Sequence, residues 1–160
     1  MPIQVGERIP ESTLMRMTAS GPAPVTTREI FEGKKVVLFA VPGAFTPTCS
    51  TKHLPGYVQQ AASIKAKGVH TIACLAVNDV FVMHHWGEAQ GVGDAILMIA
   101  DGNGELTKKL GLEMDASKYG MGTRSKRFSM IVDDGVVREL NVESPGEFKA
   151  SSAEATFCQL

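Results

Sequence analysis

Val36-Val37-Leu38-Phe39-Ala40-Val41-Pro42-Gly43-Ala44-Phe45-Thr46-Pro47-Thr48-Cys49 is the stretch whose reading decides the fold. Its first half is a continuous apolar run, the core of a buried strand from Lys35 to Val41. Its second half breaks into a loop, then offers Thr46 as a helix N-cap and Pro47 as the first helical residue. Cys49 therefore falls in the first turn of a helix. Backbone N–H groups there have no intrahelical partner and the helix dipole is positive, so a thiol in that position is biased toward thiolate, the nucleophilic form.

Downstream, the helical pattern runs from Cys49 to Lys67, with Pro55-Gly56 expected to kink or split it. Val69 to Val77 is a second buried strand. Asn78-Asp79 then supplies a cap for a helix over Val80 to Gln90. Ala95 to Ala100 is a third strand, and Asp101-Gly102-Asn103-Gly104 turns into a short helix through Leu110. Arg127 to Val132 and Val136 to Val142 flank Asp133-Asp134-Gly135, a hairpin signal. Ser151-Ser152-Ala153-Glu154 fits a capping box opening a last helix. Upstream, residues 1–30 form a turn-rich extension marked by Pro10, Gly21, Pro22 and Pro24, with short strands at Ile3-Gln4-Val5 and Leu14-Met15-Arg16-Met17. The alternation of strands and helices calls for parallel strands with helices on both faces, and the hairpin adds antiparallel ones. The class is α/β, with a mixed central sheet flanked by helices. This order resembles the thioredoxin fold with an N-terminal extension and an insertion between the second strand and the third. A single domain over residues 1–160 is expected.

Composition narrows the function classes. With 44% hydrophobic and 21% charged residues, the chain can bury a full core without staples. A net charge of −1 makes no general electrostatic case for nucleic acid or an anionic membrane. No window approaches the roughly 18 to 20 apolar residues of a spanning helix. Met1-Pro2-Ile3-Gln4-Val5-Gly6-Glu7 has no signal-peptide pattern, so the cytoplasm is the expected location. The three cysteines, Cys49, Cys74 and Cys158, are odd in number and widely spaced, which argues against a disulfide framework. No Cys-x-x-Cys or His-rich cluster suggests a zinc site, and His70, His84 and His85 have no metal-like spacing. Gly120-Met121-Gly122 does not make a phosphate loop.

Pro42-x-x-x-Thr46-x-x-Cys49 resembles the active-site motif of the peroxiredoxins, thiol peroxidases built on the thioredoxin fold. The run Pro42 to Ser50, followed by His53-Leu54-Pro55-Gly56, is similar to the type-II, five-like subfamily. Ala76-Val77-Asn78-Asp79, Phe81-Val82, Trp86-Gly87 and Lys126-Arg127-Phe128-Ser129-Met130 extend the likeness over nearly the whole chain. The resemblance implies that Cys49 attacks the peroxide O–O bond, becomes a sulfenic acid and releases water or an alcohol. It gives Thr46 a second role beyond capping, holding a peroxide oxygen. It makes Pro42 a shield for the thiolate, where the residue alone reads as a strand terminator. Composition does not choose among Arg124, Lys126, Arg127 and Arg138. The resemblance selects Arg127, whose rigid, permanently charged fork would stabilise the thiolate and the leaving oxygen. Gly43, Phe45, Thr48 and His53 are assigned to the substrate pocket.

His53 lies four residues after Cys49 and is either a polar neighbour of the thiolate or, as favoured, a residue orienting the loop before Pro55. Cys74 sits mid-strand as a core thiol, and Cys158 lies on the last helix; both remain candidate resolving cysteines. Some type-II enzymes carry the resolving cysteine after the last strand, where this chain has Lys149-Ala150-Ser151-Ser152. That departure favours a one-cysteine cycle, with glutathione and glutaredoxin, or thioredoxin, as reductant. The implied substrates are hydrogen peroxide and small organic hydroperoxides. The thiol supplies the electrons, so no metal, haem or flavin is implied. Family members pair around their active-site ends, which implies a homodimer; Phe81, Met83 and Trp86 read equally as a dimer contact or as ordinary core packing. The competing readings are a disulfide oxidoreductase, a hydrolase using Cys49 and His53, and a redox-sensing or chaperone-like module without sustained turnover.

Overall fold

The strand opening at Lys35 is β3 (Lys35–Ala40), and it lies deep inside the sheet. Five of its six residues are buried because elements cover both of its faces. Val37 and Phe39 enter one core, while Val36, Leu38 and Ala40 enter the other, the two-residue alternation of a strand. In this computed structural model, which describes Met1–Leu160, β3 pairs in parallel with β4 (Thr71–Ala76) and antiparallel with β8 (Phe128–Asp133). β4 continues in parallel to β5 (Leu97–Ala100), and β8 turns back into β9 (Val136–Val142). β1 (Thr13–Thr18) meets β5 through Met15 and Ala100, and β2 (Gly21–Thr26) forms the far edge. The order is β2-β1-β5-β4-β3-β8-β9, a mixed thioredoxin-like sheet flanked by helices.

α2 (Leu54–Lys65), α3 (Val80–Ala89) and α5 (Ala153–Phe157) follow the course of one core, built on Phe39, Leu54, Tyr57, Ile64 and Trp86. α1 (Thr27–Phe31) and α4 (Glu105–Lys109) contribute Ile30, Phe31 and Leu106 to the other. Asp79 caps α3 by accepting the Val82 N–H at 2.9 Å. The β8–β9 turn has Asp134 at φ 48° and Gly135 at φ 79°, the doubly left-handed geometry that a two-residue hairpin favours. No helix is long and apolar enough to cross a membrane.

Three local expectations differ from the structure, and one small element was not anticipated. Gly21–Thr26 is a strand despite Pro22 and Pro24, because an edge strand does not need every N–H for pairing. Ile3-Gln4-Val5 is not a strand; its Ile3 is buried and its N–H bonds Leu110 O. Ser152 caps α5 through the Ala155 N–H, but the residue three positions on is alanine, so no reciprocal box forms there. The reciprocal box belongs to Thr26 and Glu29 at α1. A small ribbon of β6 (Glu113–Asp115) and β7 (Thr123–Ser125) lies within the stretch between α4 and the hairpin; three-residue strands leave too little pattern to read.

Candidate active site

The end of β3 delivers the motif loop, and Pro47 and Thr48 start the helix, as the sequence indicated. Cys49 to His53 then forms a π-helical segment that runs directly into α2. Pro55 supplies the physical reason: it has no N–H for the carbonyl of Thr51, so the regular ladder fails there. The Leu54 N–H instead reaches Cys49 O, five residues back. Ser50 Oγ accepts from Trp86 Nε1 at 3.1 Å, which ties the widened turn to α3. Asn78 Oδ1 accepts the Ala44 N–H at 2.9 Å, so the β4–α3 connection pins the motif loop.

Cys49 is fully buried. Phe128 pairs with Ala40, which sets Arg127 beside Val41 where the motif loop leaves the sheet. From there Arg127 Nη2 donates to Cys49 Sγ at 3.0 Å. Arg124 has a different job: its Nε donates to Met121 O at 3.0 Å and its Nη1 to Pro42 O at 3.4 Å. Gly43 packs beneath it, and a Cβ there would meet Arg124 Nη1 and Thr46 Cγ2 at 3.1 Å. Thr46 holds the N-cap position, its carbonyl accepting the Ser50 N–H at 3.0 Å, but its side chain caps no N–H. Its hydroxyl donates to Gly43 O at 2.7 Å, which leaves its oxygen lone pairs free.

A cavity of about 690 Å³ opens at the motif loop, lined by Pro42, Thr46, Thr48, Lys126, Arg127 and Glu143, among others; Cys49 lies behind this lining rather than in it. Three residues expected in the pocket do not line it. Gly43 is buried under Arg124, and Phe45 points outward, 56% exposed, with its ring centroid 6.5 Å from that of Trp86. Phe45 also holds φ at 63°, a strained value for a bulky side chain. His53 lies behind Arg127, fully buried, with its Nδ1 2.9 Å from Arg127 Nη1 and its Nε2 3.0 Å from Ser151 O. Burial, and then the charge of Arg127, lower its pKa to about 3, so the ring is neutral. The rings of Phe39, Tyr57 and Phe148 surround it.

Cys74 is buried in β4, and burial, then the nearby Cys49, pushes its thiol well up. Cys158 is exposed at the end of α5, and all three cysteines are free. Sequence reasoning read the segment after β9 for its lack of a cysteine and missed its buried carboxylate. There Glu143 is buried, and its Oε2 accepts the Lys149 N–H at 2.7 Å, the Ser151 N–H at 2.8 Å and the Ser151 hydroxyl at 2.7 Å. Burial would raise the Glu143 carboxyl, but these bonds outweigh it and hold the group below the usual carboxylate range. The one available signal was a carboxylate placed directly after a strand end.

A family profile described as Redoxin matches residues 4–156, nearly the whole chain. Peroxiredoxin-2E-2, chloroplastic, from Oryza sativa subsp. japonica is 54% identical over 157 residues, 95% of this chain and 70% of that protein. The chain belongs to the peroxiredoxin family. The structure of reduced Prx3 from Vibrio vulnificus in complex with H2O2 superposes with a TM-score of 0.95 at 54% identity, covering 98% of each chain. The Plasmodium falciparum antioxidant protein, a 1-Cys peroxiredoxin, superposes with a TM-score of 0.89 at 30% identity over 96% of each chain. As a peroxiredoxin this protein is a thiol peroxidase, reducing peroxides with electrons from a thiol reductant.

Proposed function

We propose that Cys49 is the peroxidatic nucleophile, on the observation that carries the assignment: Arg127 Nη2 donates to its buried sulfur at 3.0 Å. The thiolate attacks one peroxide oxygen, the S–O bond forms and the O–O bond breaks. Sulfur becomes a sulfenic acid, and the other oxygen leaves and takes up a proton as water or an alcohol. Arg127 faces the charge on the sulfur and the charge growing on the leaving oxygen. With its own proton given to Gly43 O, Thr46 accepts the O–H of the incoming peroxide. Pro42, beside Thr46 in the cavity wall, has no donor of its own and limits water at the sulfur.

The reductant is glutathione with glutaredoxin, or thioredoxin. Attack by glutathione on the sulfenic acid gives a mixed disulfide and water; glutaredoxin then takes the glutathionyl group and releases Cys49, and a second glutathione frees glutaredoxin as glutathione disulfide forms. The absence of a cysteine at Lys149-Ala150-Ser151-Ser152 supports this one-cysteine cycle, as does the likeness to a 1-Cys peroxiredoxin. Unpaired cysteines suit a reducing compartment such as the cytoplasm. Met83 and Trp86 are buried, so the homodimer contact falls to the exposed Phe45 and Phe81. The deciding test follows consumption of hydrogen peroxide with glutathione and glutaredoxin. Many turnovers, abolished by Cys49→Ser, support the assignment; turnover that survives the serine overturns it.

A further inference from the structure

We propose that His53 is a positioning residue that aims Arg127 at Cys49, and that Glu143 and Ser151 hold His53 in place through a closed circuit of hydrogen bonds. This rests on Cys49 being the nucleophile. The circuit begins and ends on Arg127. Its carbonyl accepts the Glu143 N–H at 3.0 Å. The Glu143 carboxylate accepts the N–H and hydroxyl of Ser151. The Ser151 carbonyl bonds His53 Nε2, and His53 Nδ1 bonds Arg127 Nη1.

Every polarity in this circuit is fixed. A carbonyl only accepts, so His53 Nε2 carries the ring proton and Nδ1 presents a lone pair. A guanidinium only donates, so Nη1 spends one N–H on that lone pair. The group is planar, and anchoring Nη1 fixes where Nη2 points, which is Cys49 Sγ. His53 cannot drift, because Phe39 and Phe148 stand with ring centroids 5.0 Å from its own. Nor can the Ser151 carbonyl, which also accepts from Tyr57 Oη at 2.8 Å. Protonating His53 would replace the lone pair with a second donor facing a cation. The ring therefore acts as a neutral acceptor for Arg127 rather than as a base for the thiol. A fork oriented before peroxide arrives needs no reordering in the transition state.

The test is a double-mutant cycle on the rate at which reduced protein is oxidised by hydrogen peroxide. His53→Leu removes acceptor and donor, His53→Gln keeps one of each, and both are made with and without Arg127→Ala. In the native background His53→Leu is expected to slow oxidation by about tenfold, and His53→Gln to recover most of that. In the Arg127→Ala background His53→Leu is expected to change nothing further, because His53 acts through that fork. Equal losses in the two backgrounds, or no loss in either, overturn the proposal. If His53→Leu does not fold, Glu143→Gln crossed with Arg127→Ala decides by the same criterion. Cys49→Ser run alongside separates the two failures. Oxidation that persists without Cys49 refutes the nucleophile assignment, and with it the circuit. Oxidation lost with Cys49 but additive between His53 and Arg127 refutes the circuit alone.

Discussion

In the proposed mechanism Arg127 and Thr46 divide the work at the sulfur: one supplies charge, the other orients the oxidant. Arg127→Ala is expected to leave the far-UV spectrum unchanged while slowing peroxide oxidation by more than about tenfold, the scale of one lost transition-state donor. An unchanged stopped-flow rate would remove Arg127 from the chemistry. Thr46→Val keeps the shape but loses the hydroxyl that bonds Gly43 O. It is expected to slow oxidation by about tenfold or more, and a native rate would leave Thr46 a structural role only. Cys49 was legible because a strand, a loop and a helix start follow one another within a few residues, whereas the pattern alone read Thr46 as a cap and Pro42 as a strand terminator. Arg127 was legible only through its match to a family pattern, since its approach to Cys49 joins residues 78 positions apart. The contact of Ser151 with His53 was not legible at all, because it is made by a backbone carbonyl that any residue carries.

At the scale of elements, the widened turn from Cys49 to His53 decides where the sulfur sits. Pro55→Ala restores an N–H that can bond Thr51 O and re-form the regular ladder. The expected outcome is a raised melting temperature together with a several-fold slower reaction with peroxide. A variant as reactive as the native protein would show that the π-helical geometry is incidental. The sequence indicated a break at Pro55-Gly56 but not its form. A missing N–H forbids one hydrogen bond and leaves the choice among kink, split and widened turn to the packing, here the Trp86–Ser50 bond. Asp79 at the start of α3 was readable for the opposite reason, since a cap is satisfied within one turn. Asp79→Ala is expected to lower stability by about 1 kcal/mol in urea unfolding, with the peroxide rate unaffected.

Across the whole molecule, the sheet joins an N-terminal edge and a C-terminal hairpin to one parallel centre, and His53 lies on the hairpin side of that centre, against Phe39 of β3, Arg127 and the Ser151 carbonyl. Arg127, Glu143, Tyr57 and Cys49 are the ionisable groups around it. Its pKa falls from 6.5 in the free side chain to about 3 in the folded protein. Between those values the unfolded chain binds the proton and the folded chain does not. Stability from this group is therefore complete above about pH 6.5 and is lost as pH falls toward about 3, with a slope of up to about 1.4 kcal/mol per pH unit. His53→Gln is expected to remove that share of the slope, read from urea unfolding at a series of pH values; identical slopes would place His53 outside the core. The central strands were legible because burial on both faces leaves long apolar runs. The edge strand β2 was not, because its prolines are the signature of a turn as much as of an edge.

The most direct measurement is mass spectrometry of the reduced protein after one equivalent of hydrogen peroxide, with the product trapped by dimedone, which captures sulfenic acids. A single adduct on Cys49, replaced by a glutathione adduct on the same residue when glutathione is present, is the expected result. An adduct on Cys74 or Cys158 with Cys49 unmodified, or an internal disulfide in place of any adduct, would contradict it.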